Sequence, residues 1–121
     1  MNTLLIAILS VAISVAAQFS LKAGMSGTAV KAVLAQPFGL QTVLTVFLNK
    51  FVLGGFVLYG LGAVVWLAVL SKWDVSKAYP LVGLGFALTV VVGYLLGEQV
   101  TPARVVGVTL ICAGVFVMGR T

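Results

Sequence analysis

Ser10, Ser14, Gln18 and Lys22 recur at four-residue intervals along a stretch that, from Thr3 to Leu21, carries no charge and is otherwise mostly apolar. A four-residue step advances an α-helix by about 400°, so the four side chains form one slowly drifting polar stripe. Hydroxyls and an amide supply neutral hydrogen bonds, and the ammonium at the end attracts an anion. No carboxylate interrupts the stripe. Two uses fit a stripe of this kind in a membrane helix: hydrogen bonds that tie neighbouring helices together, or the lining of a substrate path.

Other residues of chemical interest are few. Trp66 lies well inside an apolar run, and its indole N–H needs a partner, so it suits either packing or stacking against a sugar. Tyr79 and Pro80 suit the opening of a helix at an interface. Asp74 and Glu98 are the only two acids. Asp74 stands three residues from Lys77 and is expected to pair with it or cap a helix. Glu98 follows an apolar span directly and suits either an amino cation or Arg104. The absence of histidine and the single cysteine, Cys112, exclude an internal disulfide and a His/Cys metal site. Cys112 reads as small-residue packing. With no nucleophile–base pair and no phosphate-binding glycine loop, no enzyme and no cofactor is expected.

The elements that must position these residues are set by composition. Hydrophobic residues make up 62% of 121 positions and charged residues 7%, with a mean hydropathy of +1.26. Such a chain lacks the polar surface of a soluble globule, so the expected class is an all-α, polytopic membrane protein. A hydrocarbon core of roughly 30 Å needs about 20 apolar residues. Four spans meet that length, at about 3–21, 51–70, 78–97 and 102–119, and form one four-helix transmembrane domain. The first is too long and too weakly basic at its start for a cleaved signal peptide and is expected to remain as a helix. The fourth has 15 uncharged residues between Arg104 and Arg120, so both arginines are expected to snorkel to opposite interfaces.

Between the first two spans lies a long connection, residues 23–50. Leu40, Val43, Leu44, Phe47 and Leu48 fall there at helical spacing, which predicts either an amphipathic helix in the interface or an extension of the second span. A shorter helical turn near Ala29–Ala35 is compatible with Gly24 and Gly27 ending the first helix. Gly93 and Gly97 form a GxxxG on the third helix, and Gly107 and Gly114 lie seven apart on the fourth. Both patterns permit close helix approach, and the fourth helix reads as an oligomerisation surface.

Four spans place both termini and the 72–77 loop on one side, with Lys72, Lys77 and Arg120, against Lys22, Lys31, Lys50 and Arg104 on the other. Three against four is no bias, so orientation is open and dual topology remains compatible with the chain. The formal net charge of +5 favours anionic lipid headgroups or an anionic substrate, not nucleic acid, as expected partners of a membrane chain.

The segments AQFSLKAG (Ala17 to Gly24), VSKAYPL (Val75 to Leu81) and GEQVTPARVVG (Gly97 to Gly107) resemble, in order and spacing, the small multidrug resistance branch of the drug/metabolite transporter superfamily. GVTLICAGV, from Gly107 to Val115, is similar to the fourth helix of that branch, so the resemblance reaches all four helices. Drug-exporting members carry a glutamate in the middle of the first helix, and this chain has Ser14 at the matching position. A neutral hydroxyl neither exchanges a proton near neutral pH nor balances a buried cation. The better resemblance is to the EamA-like small subunits that flip aminoarabinose linked to undecaprenyl phosphate across the bacterial inner membrane. Those share the Ala17, Gln18 and Lys22 pattern, the AYP turn and the Glu-x-x-x-Pro feature. The 23–50 connection is longer than the resemblance implies.

That resemblance implies a homodimer, or a heterodimer with a similar small membrane protein. Moving such a lipid needs a polar groove open sideways to the bilayer, in which Lys22 is expected to attract the phosphate while Gln18, Ser14 and Ser10 hydrogen-bond the sugar. Two other classes remain open on the sequence: an exporter of small cations or metabolites, and a non-transporting subunit that stabilises a partner.

Overall fold

The side-chain carbonyl of Asn2 accepts the Leu4 N–H at 2.8 Å and caps helix α1, Thr3–Met25. The computed structural model describes residues 2–120, and it is built from helices and their connections. Helix α1 is followed by two short helices, α2 (Thr28–Leu34) and α3 (Leu40–Phe47), then by α4 (Lys50–Leu70). The third span begins with a single turn, α5 (Val75–Ala78), passes through a 3-10 turn at Tyr79–Leu81, and continues as α6 (Val82–Leu95). Helix α7, Pro102–Gly119, closes the order. Four stretches are long and apolar enough to cross a membrane: Thr3–Met25, Lys50–Leu70, Val75–Leu95 and Pro102–Gly119. This is the polytopic all-α architecture expected from composition.

Helices α1 and α4 run antiparallel along a seam rich in small residues. Ala7, Ser10, Ala17 and Gly24 are buried on α1, and Val52, Gly55, Gly62 and Val69 are buried on α4, each series stepping by three, seven and seven in its own chain order. Ser10 donates its hydroxyl to the Gly62 carbonyl at 2.7 Å. A Cβ on residue 55 would lie 3.2 Å from the Ala17 carbonyl oxygen, and one on residue 24 would lie 2.6 Å from Val52 Cγ2. Seven-residue steps keep one face of each helix on its partner, as in a coiled coil, and small residues let the backbones approach where water is not available to drive association. Ser20 adds a second tie, donating to the Phe51 carbonyl at 2.7 Å.

Helix α6 leans on the opposite flank of α1, where a Cβ on Gly85 would be 3.0 Å from Val11 Cγ1. Helix α7 packs on α6 through Gly83, against Ile111 and Val115. Ala7, Val69, Ala78, Leu81 and Val115 gather into a core that unites the end of the bundle carrying the termini, with Trp66 and Trp73 packed around it. The outer face of α7 is exposed, Leu110 and Phe116 by 68% and 65%. Gly107 and Gly114 have open space beside them.

Several local expectations change in three dimensions. Gly24 does not end α1 but stays inside it, and the close approach of Asn49 and Val52 leaves no room for a side chain there. Gly97 is not a helix-contact glycine. It sits past the end of α6 at φ +91°, and the N–H groups of Gly97 and Glu98 return to the Tyr94 and Gly93 carbonyls at 3.1 and 2.9 Å. That is a Schellman C-cap, which demands the left-handed conformation that glycine adopts freely. Asp74 and Lys77 do not pair: Lys77 Nζ lies over the Trp73 ring, 4.7 Å from its centroid. Tyr79 and Pro80 stand one helical turn inside the third span, in the 3-10 segment that absorbs the missing proline N–H.

The alternative left open for residues 38–50 is also decided. Asn49 adopts an extended conformation and caps α4 with bonds to the Phe51 and Val52 N–H groups, so α3 is a separate helix and not a continuation of the second span. Phe47 of α3 stacks on Phe56 of α4 at 5.8 Å, folding α3 back along the first two turns of the span.

Candidate functional site

A cavity of about 760 Å³ lies between α1, α4, α6 and residues 98–104, the α6–α7 connection with the start of α7. Ser10, Ser14, Gln18 and Lys22 form its α1 wall, so the polar stripe faces a single space. Trp66, Tyr79 and Glu98 line the same cavity. Gly107 and Gly114 lie outside it, on α7.

Each polar side chain has a distinct setting. Ser10 is 3% exposed and has given its only hydroxyl proton to Gly62, leaving it acceptor capacity alone. Ser14 donates to the Ser10 carbonyl one turn back at 3.1 Å. Gln18 donates from Nε2 to the hydroxyl of Tyr59, bracing α1 against α4 halfway along the cavity. Lys22 lies one turn further, exposed, near the end of α1.

Glu98 borders the cavity from the α6–α7 connection and Arg104 borders it from the first turn of α7. The Schellman turn at Gly97 folds Glu98 back over α6, and a Cβ on Gly93 would meet Glu98 Oε1 at 3.0 Å. A side chain at position 93 would press on this carboxylate and require it to shift by a few tenths of an ångström. Arg104 does not take Glu98 as its partner. Its Nη1 donates to the Gln99 carbonyl at 2.8 Å, while Thr101 Oγ1 accepts the Arg104 N–H at 3.2 Å as the N-cap of α7.

Because the helices alternate in direction, Lys22, Glu98 and Arg104 share the end opposite the termini. Trp66 and Tyr79 lie towards the end closed by the buried core. The space is thus graded: a charged end, a middle of neutral hydrogen-bonding groups, and an aromatic end formed by the half-buried Trp66 and the exposed Tyr79. Such a gradient accommodates a head that carries charge at one point and polar or sugar-like surface beyond it.

Tyr59 and Arg104 also line the cavity, and the sequence reading gave neither a place among the site residues. A signal for Tyr59 was present, because Tyr59, Gly62, Ala63 and Trp66 fall at helical spacing on one face of α4. Arg104 gave none, since an arginine two residues after a proline at a span boundary reads as an anchor.

A protein of Pseudomonas savastanoi pv. phaseolicola, named a probable 4-amino-4-deoxy-L-arabinose-phosphoundecaprenol flippase subunit ArnE, is 50% identical over 62 residues, which are 50% of this chain and 54% of that protein. The equivalently named protein of Pseudomonas syringae pv. syringae is 42% identical over 62 residues, 50% of this chain and 57% of the relative. An uncharacterized protein, y4nH, of Sinorhizobium fredii is 34% identical over 76 residues, covering 61% of this chain and 65% of its own. The chain therefore spans about half the length of the flippase-subunit relatives it matches. No solved structure matches it. The model of the family described as Putative transmembrane family 234 matches residues 6–119, nearly the whole of the four-span fold, and this chain belongs to that family.

Proposed function

We propose that this protein is a subunit of a membrane flippase that carries a polyprenyl-phosphate-linked sugar, such as 4-amino-4-deoxy-L-arabinose-phosphoundecaprenol, across the bacterial inner membrane. The observation that carries this reading is the single cavity that joins a cation, Lys22, and an acid, Glu98, to a neutral polar and aromatic interior. The names of the relatives agree with it.

A lipid-linked sugar cannot cross unaided, because its phosphate and hydroxyls lose their hydration in hydrocarbon. Lys22 attracts the phosphate to the mouth, and Glu98 accepts hydrogen bonds from the sugar ammonium. Further in, Ser10 accepts, and Ser14 and Gln18 exchange their internal bonds for bonds to sugar hydroxyls. Trp66 and Tyr79 offer aromatic faces to the ring. The polyprenyl tail stays in the lipid throughout, so the path needs a lateral opening and not a closed pore.

The working unit in this reading is an oligomer, a homodimer or a pair with a similar small membrane protein. The exposed face of α7 with Gly107 and Gly114 and the word "subunit" in the relatives' names support it.

Translocation of undecaprenyl-phosphate-linked aminoarabinose into liposomes tests the reading, with wild type, Lys22→Ala and Glu98→Gln reconstituted alone and with a candidate partner subunit. Transport that falls in both variants supports it. Normal transport by a folded Lys22→Ala protein overturns the role of the stripe, and no transport under any pairing overturns the function.

A further inference from the structure

Arg104 has a setting that an interfacial anchor does not require. An anchor directs its charge outward along the bilayer surface, yet Arg104 borders the cavity and its guanidinium is tied to the Gln99 carbonyl at 2.8 Å. That carbonyl is neutral and uses one of five N–H donors, and no acid among the described residues forms an ion pair with the guanidinium. The acid six residues away in sequence is not bonded to it: the Gly97 turn carries Glu98 back over Gly93.

Lys22 borders the same mouth from α1, the other wall. Two cations on separate elements therefore face one space, and one of them is a planar fork held in orientation by the backbone. An ammonium acts on a phosphate as a point charge, whereas a guanidinium engages two of its oxygens at once.

We propose that Arg104 is a second phosphate-contacting residue of this cavity, and that its oriented fork makes the site select a lipid phosphate over the same lipid without one. This rests on the reading of the cavity as a lipid-phosphate path. Lys22 recruits the anion, Arg104 fixes its rotation, and Glu98 is left free to read a cation attached beyond it. The division gives Arg104 and Glu98 separable effects: the first governs every phosphorylated polyprenol, the second only those that carry an amine.

Binding of undecaprenyl phosphate and of undecaprenol to the purified protein in lipid nanodiscs tests the assignment. Wild type is expected to prefer the phosphate. Arg104→Gln is expected to weaken phosphate binding about tenfold or more with undecaprenol binding unchanged. Arg104→Lys, which keeps the charge and the capacity to snorkel but loses the fork, is expected to recover only part of that loss. Equal weakening of both ligands, or full recovery in Arg104→Lys, makes Arg104 an anchor and overturns the proposal; unchanged phosphate affinity in Arg104→Gln does the same. Should Arg104→Gln fail to fold, Arg104→Lys decides alone, through a lowered or an unchanged phosphate-to-alcohol ratio. A wild-type protein with no preference for the phosphate overturns the flippase reading itself, a result distinct from failure of the Arg104 arm.

Discussion

The Glu98 N–H donates to the Gly93 carbonyl at 2.9 Å, and the Glu98 carboxylate occupies the space that a side chain at position 93 would claim. Gly93 thus leaves room for the carboxylate of one of the chain's two acids. Gly93→Ala is expected to leave α6 helical and to displace the carboxylate, lowering transport of an amino-sugar lipid as Glu98→Gln does while sparing a lipid phosphate without an amine. Transport assays with the two lipids check this, and equal loss for both would show that position 93 acts on packing.

Gly97 aims the same carboxylate through its backbone. At φ +91° an alanine costs about 1–2 kcal/mol. Gly97→Ala is expected to lower the unfolding midpoint modestly and to impair Glu98-dependent transport more than stability. Thermal unfolding in detergent and liposome transport, measured on the same preparation, separate the two effects.

The α1–α4 seam predicts opposite outcomes for two glycines on one helix. A Cβ at Gly55 would lie 2.6 Å from Leu21 Cδ2 and 3.2 Å from the Ala17 carbonyl oxygen, so Gly55→Ala is expected to destabilise by about 1–3 kcal/mol. Gly60 faces open space, and Gly60→Ala is expected to be neutral or to stabilise by up to about 1 kcal/mol. Unfolding titrations of both variants check the contrast.

Gln18 and Tyr59 brace the cavity across its middle. A headgroup that passes this level must break their hydrogen bond, whose net worth is about 0.5–1.5 kcal/mol. Tyr59→Phe removes that bond and leaves the ring, so transport is expected to rise about two- to tenfold with the fold unchanged. A fall in transport would mean that the hydroxyl binds the substrate directly.

Phe47 stacked on Phe56 holds α3 against the first turns of α4. Phe56→Ala is expected to release α3, seen as faster proteolysis within residues 36–48 and faster amide exchange there, with the four spans intact.

The amino-acid sequence by itself determined the membrane class, the presence of four spans and the polar stripe. Each depends on local quantities: the length of an apolar run and a period of about four along one helix. Ser10, Ser14, Gln18, Lys22, Trp66, Tyr79 and Glu98 were legible as polar or aromatic exceptions on apolar elements. Their convergence on one cavity was not, because it depends on which helices pack and at what rotation.

Only the tertiary structure decided the partners. The series 7, 10, 17, 24 and 52, 55, 62, 69 are equally visible as spacings, yet they acquire meaning once α1 and α4 are known to run antiparallel against each other. The same holds for the glycines: position 24 serves close packing and position 97 serves a left-handed turn, though the residue type is identical. Arg104 shows the limit most clearly, since a cation at a span boundary can face lipid headgroups or a cavity. The choice lies in the direction of the side chain, which the turn before α7 and the Gln99 carbonyl set together.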